Sequence, residues 1–140
     1  MGSRRRAREL ALQMLFENDM TGAPPEEMFG HSEELHHAAE STRAYAKRLV
    51  CGTLDHRPEI DALIVGQADN WRLERMPAVD RNILRLALYE MRHEPDTPAP
   101  VVIDEALEIA KRFSTPKSSQ FINGILDGVL KSPASEAKKR

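Results

Sequence analysis

The stretch VDRNILRLALYEM, residues 79–91, decides the fold of this chain. Its apolar side chains recur every three or four residues, as on one face of an α-helix, at Val79, Ile83, Leu86, Ala87 and Met91. Leu84 and Leu88 widen this stripe so far that a single neighbouring helix could not cover it. We therefore predict that the stretch is the central helix of a small all-α bundle and that it ends before Pro95.

One charged residue lies on the apolar side of this predicted helix. At about 100° per residue, Glu90 falls between Ile83, Ala87 and Met91. A buried carboxylate costs several kcal/mol unless a charge or hydrogen bonds compensate it. We interpret Glu90 as a structural acid that pairs with a basic residue or caps a neighbouring helix. A catalytic role would require a second acid or base, and the sequence offers none beside it.

Length and composition indicate one helical domain. The chain has 140 residues, enough for a hydrophobic core, and we predict a domain over residues 1–132 followed by a disordered basic tail, 133–140. No apolar run approaches the ~18 residues of a membrane span, and no signal peptide is recognisable. The single cysteine, Cys51, excludes an internal disulfide. We therefore expect a cytoplasmic protein without membrane contact.

The basic residues are concentrated at the two ends of the chain. Residues 1–8 contain Arg4, Arg5, Arg6 and Arg8 and no acid, and residues 138–140 are Lys, Lys and Arg. All 22 acidic residues lie between these ends, so the net charge of −2 conceals a strong asymmetry. Local patches rather than net charge decide where phosphate groups bind. The ends are therefore candidate nucleic-acid contacts.

The first helix is predicted over residues 4–19, RRRARELALQMLFEND. Phe16 and Arg5 fall on the same flank of this helix. Arginine forks suit phosphates and an aromatic face can stack a base, so this flank is a candidate RNA contact. The alternative is that the arginines are ordinary solvated residues of the first helical turn and that Phe16 packs against a neighbouring helix.

Proline and glycine breaks divide the rest into further helices, about seven in all and two of them short. A short helix begins at Pro25, Ser41 or Thr42 can cap a helix that runs to about His56, and another opens at Pro58. Two more are predicted over residues 101–113 and 117–130. Three histidines in the second helical region come closest to a metal-binding group. Because no Cys or Asp accompanies them, we expect no metal there; they are His31, His36 and His37.

The last predicted helix carries an unusual side. This side groups Phe121 with Gly124 and Gly128, away from the apolar stripe. Each glycine lowers the stability of the helix by about 1 kcal/mol relative to alanine. Such a side suits the close approach of another helix or of a ligand. Free N–H groups near Lys117 and Ser118 would favour a phosphate at the helix start. Tight internal packing against the glycines is the alternative.

Motifs of the common enzyme classes are missing. There is no glycine-rich phosphate loop, GxSxG or HExxH motif, and no Cys/His set with zinc spacing. Cys51 lies in an apolar helical segment, which suits a packed thiol better than a nucleophile. We therefore expect a binding module with no catalytic residue, cofactor or metal.

Four segments in this order and at these intervals carry a family resemblance: RRRARELALQMLFE, DRNILRLALYEM, PVVIDEALEIAKRF and SSQFINGILD. Together they resemble the NusB family over most of the chain, apart from about residues 21–40 and the tail. Two positions depart from the common pattern. Asp104 stands where members usually carry Asn, and Phe16 stands where many carry Tyr, which keeps the ring and removes the hydroxyl.

The resemblance implies an all-α fold of two helical subdomains and a role in transcription antitermination. Family members bind the boxA sequence of nascent RNA, notably in ribosomal RNA operon leaders, together with the ribosomal protein NusE. The pair joins elongating RNA polymerase with other Nus factors. These partners are therefore expected for this chain.

The resemblance also implies which residues make these contacts. It places the RNA-binding surface at Arg4, Arg5, Arg6, Arg8, Phe16, Lys117, Ser118, Gln120 and Phe121. It places the NusE contact at the start of the central helix, with Asp80, Arg81 and Arg85. Two alternatives stay open: a homodimerisation module whose seam is the glycine-containing helix, and the front domain of a ribosomal RNA cytosine methyltransferase. The second would require a methyltransferase domain, and this sequence contains none.

Overall fold

The computed structural model describes residues 2–68 and 72–132, and every regular element within these ranges is helical. The α-helices are α1 Gly2–Thr21, α2 Pro25–His31, α3 Glu33–His37, α4 Glu40–Asp55, α5 Arg57–Gln67, α6 Ala78–His93, α7 Ala99–Phe113 and α8 Pro116–Lys131. A 3₁₀ turn, Leu73–Arg75, precedes α6. The predicted tail at 133–140 lies outside the described residues. Within them, no helix combines the length and apolar character needed to cross a bilayer.

Helix α6 is the centre of the molecule, as its apolar stripe predicted. It packs against α1, α4, α5, α7 and α8, and all its residues from 82 to 90 are buried. Around it the helices form two groups. Helices α1, α2 and α4 pack on one another, and so do α7 and α8, with α5 against α8. The all-α bundle is therefore confirmed, and the basic start of α1 is held in place through α6.

The helix boundaries follow local capping chemistry. Thr115 caps α8 by accepting a hydrogen bond from the Ser118 amide at 3.0 Å, and Ser32 caps α3 in the same way. That second cap makes residues 33–37 a separate helix, so the described residues form eight α-helices where the sequence predicted about seven. The prediction that Ser41 or Thr42 caps α4 is wrong. This helix begins at Glu40 after Ala39, without a side-chain cap.

The two glycines of α8 have different surroundings. The side chain of Gln67, from α5, lies directly against Gly128, which agrees with the predicted close approach of another helix. A Cβ atom at Gly124 would meet no heavy atom within 4 Å. In α4, the ring of the buried Tyr89 occupies the space where a Cβ atom at Gly52 would lie. Two of these three glycines therefore admit a neighbouring side chain, and the third faces open space.

Candidate functional site

The first turns of α1 present two arginines to solvent. The guanidinium of Arg4 lies over the ring of Tyr45, 3.9 Å from the ring centroid. Arg5 donates two hydrogen bonds to Glu105 of α7, from Nε at 3.0 Å and from Nη2 at 2.7 Å. Both side chains therefore have a defined place on the surface, held by α4 and α7 rather than by α1 itself.

Arg8, one turn further along α1, points into the core. Its residue is 5% exposed, and it donates to Glu90 from Nε at 2.8 Å and from Nη2 at 2.6 Å. The hydroxyl of Tyr45 donates to the same carboxylate at 2.6 Å. Glu90 is therefore a structural acid paired with a base, as predicted. The guanidinium of Arg8 is occupied inside the protein, whereas the resemblance had placed Arg8 on the RNA surface.

The pKa values of this buried group follow from its contacts. Burial alone would lower the pKa of Arg8, but the hydrogen bond and the attraction of Glu90 outweigh it and leave that pKa above the ordinary arginine value. Burial and the hydrogen bond to Glu90 raise the pKa of Tyr45 to about 12. At neutral pH the guanidinium of Arg8 therefore stays charged and the phenol of Tyr45 stays neutral.

Ion pairs between α1 and α7 partly neutralise the surface arginines. The hydrogen bond from Arg5 lowers the pKa of Glu105 below its ordinary value, more than burial raises it. Glu9 pairs with Arg112 at 2.8 Å and with Arg6 at 3.5 Å. Arg5 and Arg6 are therefore not isolated charges, and a phosphate would have to take the place of a carboxylate at Arg5.

A groove between α7 and α8 connects the two ends of the predicted site. Arg5 of α1 and Gln120 of α8 both line this groove. Its remaining walls are formed by Asp104, Glu105, Leu107, Glu108, Lys111, Ser119 and Asn123. The structure therefore brings together the start of α1 and the start of α8, which are separated by most of the chain.

A second pocket lies at the start of α8. Lys117 and Phe121 line it together with Met76, Pro77, Asp80, Thr115 and Ser118. Lys117 is exposed, and Phe121 is half-buried against the core. The hydroxyl of Ser118 donates to Asp80 at 2.6 Å, and two amides of the first turn already bond to Thr115. Lys117 and Phe121 are therefore better placed for a ligand than the Ser118 hydroxyl or the helix amides.

Phe16 lies apart from the exposed arginines. Its residue is 37% exposed, and its Cα lies about 16 Å along α1 from that of Arg5. The ring is accessible, as a stacking role would require, but it is neither beside Arg5 nor among the residues lining the two pockets described above.

The three residues predicted at the NusE contact belong to a polar network that joins α6 to its neighbours. Arg81 and Arg85 both donate to Asp19 of α1, at 2.6 and 3.2 Å, and Arg85 also binds Asp61 of α5 through two hydrogen bonds. Asp80 accepts hydrogen bonds from the hydroxyls of Ser114 and Ser118. Asp80 and Arg85 are buried, and Arg81 is partly buried, with 15% of its side chain exposed.

Two partners of the arginines were not among the predicted site residues. The ring of Tyr45 contacts the guanidinium of Arg4, and its hydroxyl bonds to Glu90. Glu105 binds Arg5. The sequence could not reveal the pairing of Arg5 with Glu105, because the two residues lie 100 positions apart.

Comparisons with known proteins place this arrangement in one family. The model of the NusB family matches residues 5–131. The protein named transcription antitermination protein NusB from Solibacter usitatus is 50% identical over 131 residues, covering 92% of this chain and 89% of the relative. The protein of that name from Koribacter versatilis is 49% identical over 144 residues, covering 99% and 96%.

Solved structures agree with this finding. T. maritima NusB superposes with a TM-score of 0.86 at 38% identity, covering 97% of this chain and 96% of the other. A structure described as antitermination factors NusB and NusE in complex with double-stranded RNA has a TM-score of 0.85 at 30% identity, covering 94% and 98%. The likeness thus extends over nearly the whole length of both chains.

Proposed function

The chain belongs to the NusB family, and from this membership we propose that it is a transcription antitermination factor that binds boxA RNA together with the ribosomal protein NusE. In this proposal the pair acts on elongating RNA polymerase with other Nus factors, notably at ribosomal RNA operons. A related structure contains NusB, NusE and RNA together, which supports both partners. No catalytic step is part of the proposal.

The observation that carries the proposal is the groove from Arg5 to Gln120. It is lined by the exposed Arg5 of α1 and by Gln120 of α8, the helix whose first turns also place Lys117 and Phe121 in the second pocket. An RNA strand that follows the groove and then crosses the start of α8 would meet an arginine fork for its phosphates and an aromatic ring for an unpaired base. Arg4, Arg5 and Lys117 are the proposed phosphate contacts, and Phe121 is the proposed stacking residue.

The acids of the groove set the strength of this binding. Arg5 must exchange Glu105 for a phosphate, and Asp104 and Glu108 line the same groove. The affinity of the chain alone should therefore be modest. For single strands, the logarithm of affinity falls with the logarithm of salt concentration by about 0.7 per phosphate contact, so a few contacts give a shallow but measurable slope.

The proposed roles of the remaining predicted residues follow from their burial. Arg8 holds the start of α1 against α6 rather than touching RNA. Asp80 and Arg85 keep α6 in position, so a direct contact with NusE falls to Arg81, the least buried of the three. NusE bound at the start of α6 would lie beside the pocket that Asp80 and Phe121 share, and it could extend the RNA surface there.

Fluorescence anisotropy with boxA RNA and a scrambled RNA tests the proposal, with and without NusE and at two salt concentrations. We expect tighter, boxA-preferring binding when NusE is present. Replacing Phe121 by Ala should weaken this binding by about 1–3 kcal/mol, the usual contribution of one stacked base. The control is Lys131→Ala, an exposed basic residue at the far end of α8. Equal affinity for both RNAs under every condition would contradict the proposal.

A protein-interaction role is the second candidate, and the open backbone at Gly124 favours it. Nothing lies within 4 Å of a Cβ atom built there, so a second copy of α8 could approach closely. The molecular mass in solution distinguishes the two. An RNA-independent dimer that shows no salt-sensitive RNA binding would replace the RNA proposal.

A further inference from the structure

A group of three potential metal ligands lies where α4, α5 and α6 meet. His56 stands between α4 and α5, Glu59 is in the first turn of α5, and His93 is the last residue of α6. Nδ1 of His56 lies 3.5 Å from Oε1 of Glu59, and Nε2 of His93 lies 3.7 Å from Oε2 of Glu59. None of the three belongs to the proposed RNA or NusE surface.

We propose that His56, Glu59 and His93 bind a divalent transition-metal ion of the Zn²⁺ class. Zinc is held at about 2.0–2.1 Å by imidazole nitrogen and carboxylate oxygen, so two ligands of a tetrahedral site are about 3.4 Å apart. The two distances end on different oxygens of Glu59, and each is within a few tenths of an ångström of this value, so the carboxylate faces both imidazoles. The ligand atoms of all three residues lie within 4.8 Å of one another, so one ion can reach them all once one imidazole has turned.

The chemical type and the exposure of the three ligands indicate which ion this site would bind. Two imidazoles and one carboxylate suit zinc, nickel or cobalt, whereas Mg²⁺ and Ca²⁺ require oxygen ligands. All three side chains are partly exposed, so the ion can enter from solvent and keep a water molecule as its fourth ligand. A bound ion would join the α4–α5 junction to the end of α6.

One imidazole must turn when the ion binds. The rings of His56 and His93 are stacked, with centroids 3.8 Å apart and an angle of 16° between their planes. A metal ion lies close to the plane of each ring that binds it, and two stacked rings cannot both satisfy this condition. The side chain of His56 is 39% exposed, the more exposed of the two imidazoles, so we assign the turn about the Cβ–Cγ bond to His56.

The positive charge of Arg92 would compete with a metal ion for the carboxylate of Glu59. Its Nε lies 3.5 Å from Oε2 of Glu59, and its side chain is 6% exposed. The guanidinium therefore compensates Glu59 when no ion is bound, and it repels an incoming cation. Removing the charge of Arg92 should strengthen metal binding. A cluster with a purely structural role gives no reason to expect this result.

Isothermal titration calorimetry of the full chain with ZnCl₂ tests the proposal, with MgCl₂ titrated in parallel. We expect one Zn²⁺ per chain and no heat from Mg²⁺. His93→Ala should weaken Zn²⁺ binding by at least about tenfold, since even groups outside the ligand set commonly contribute 10- to 100-fold. Arg92→Gln, which keeps most of the side chain and removes its charge, should bind Zn²⁺ several-fold more tightly.

The matched control removes the exposed histidines of α3. The variant H36A/H37A lacks two imidazoles outside the cluster and should bind Zn²⁺ like the wild type. If His93→Ala does not fold, NMR of the wild type decides, because Zn²⁺ should shift the ring signals of His56 and His93. Shifts confined to His31, His36 and His37 would overturn the proposal. Unchanged Zn²⁺ affinity in a folded His93→Ala variant would do the same.

Discussion

At the scale of single residues, Arg8 and Glu90 show how an ion pair is kept inside a helical core. Glu90 is 1% exposed and accepts hydrogen bonds from Arg8 and Tyr45, so its charge and its lone pairs are both satisfied. Taking two charges out of water is costly, and close, well-oriented contacts are needed to offset that cost. The pair fixes the start of α1 against α6, and thereby the position of the exposed arginines.

Replacing Arg8 by Met should destabilise the protein strongly. The change leaves Glu90 buried without its cation, which typically costs about 3–5 kcal/mol. Urea unfolding followed by circular dichroism measures the change in the free energy of unfolding. Arg5→Met is the matched control, because Arg5 is exposed and its ion pair with Glu105 should contribute little to stability. Equal losses in the two variants would contradict the structural role of Arg8.

The two tyrosines should resist ionisation in the folded protein. Burial and hydrogen bonds to Glu90 and Glu94 raise the pKa of Tyr45 and of Tyr89 to about 12, against about 10 in an unfolded chain. A raised pKa means that this stabilisation is complete below about pH 10 and is lost as the pH rises towards 12. Phenolate absorbance should therefore be low at pH 11 in the folded chain and high in urea at the same pH. Ionisation of either folded tyrosine near pH 10 would contradict these contacts.

The sequence predicts the kind of partner that Glu90 has, but not its identity. An acid on an apolar helix face must be compensated, and this requirement follows from periodicity alone. The choice of Arg8 depends on how α1 crosses α6, which no local pattern encodes. For the same reason the resemblance placed Arg8 on the surface with its neighbours, whereas the structure turns it inward.

At the scale of helices, the long periodic segments were predicted closely. The short helix α2 was predicted to begin at Pro25, as it does, whereas α3 was missed. The sequence predicted helices over 79–91 and 117–130, and the structure has Ala78–His93 and Pro116–Lys131. Helices α2 and α3 are short, and each buries one residue of its own, Met28 or Leu35. So short a pattern cannot define a helical face, and the division between them depends on the Ser32 cap.

The glycines of α4 and α8 should respond to alanine in opposite ways. Gly124→Ala meets open space and should raise the free energy of unfolding by about 1 kcal/mol, because alanine is the better helix former. Gly52→Ala should lower it, because the new methyl group would collide with the buried ring of Tyr89. Thermal unfolding of both variants tests this contrast. A stabilised Gly52→Ala variant would show that the ring of Tyr89 moves easily.

At the scale of the whole molecule, α6 makes the bundle cooperative. Since it packs against five other helices, it can be exposed only when most of the core is lost. Amide hydrogen exchange should therefore be slowest in the buried part of α6, where it occurs only through global unfolding, and much faster in α2 and α3. Exchange measured by mass spectrometry on peptides checks this order. Equally slow exchange in α3 would contradict it.

The molecular surface could be predicted only in part. Charge asymmetry indicated the start of α1, and the start of α8 was selected by its polar residues and Phe121. The groove that connects them depends on the packing of α7 between those ends, which sequence reasoning did not derive. The cluster of His56, Glu59 and His93 was missed for a similar reason, because His93 ends α6 whereas His56 and Glu59 lie at the start of α5.

The ion pair of Arg5 with Glu105 has a consequence for the entropy of binding. A free arginine side chain samples many rotamers, and ordering it costs about 1.5–2 kcal/mol. Glu105 already holds the guanidinium through two hydrogen bonds, so its donors point along one wall of the groove before any ligand arrives. The side chain of Arg5 therefore loses less conformational entropy when a ligand binds. An anion that presents two oxygens in the geometry of a carboxylate is favoured over a single point charge.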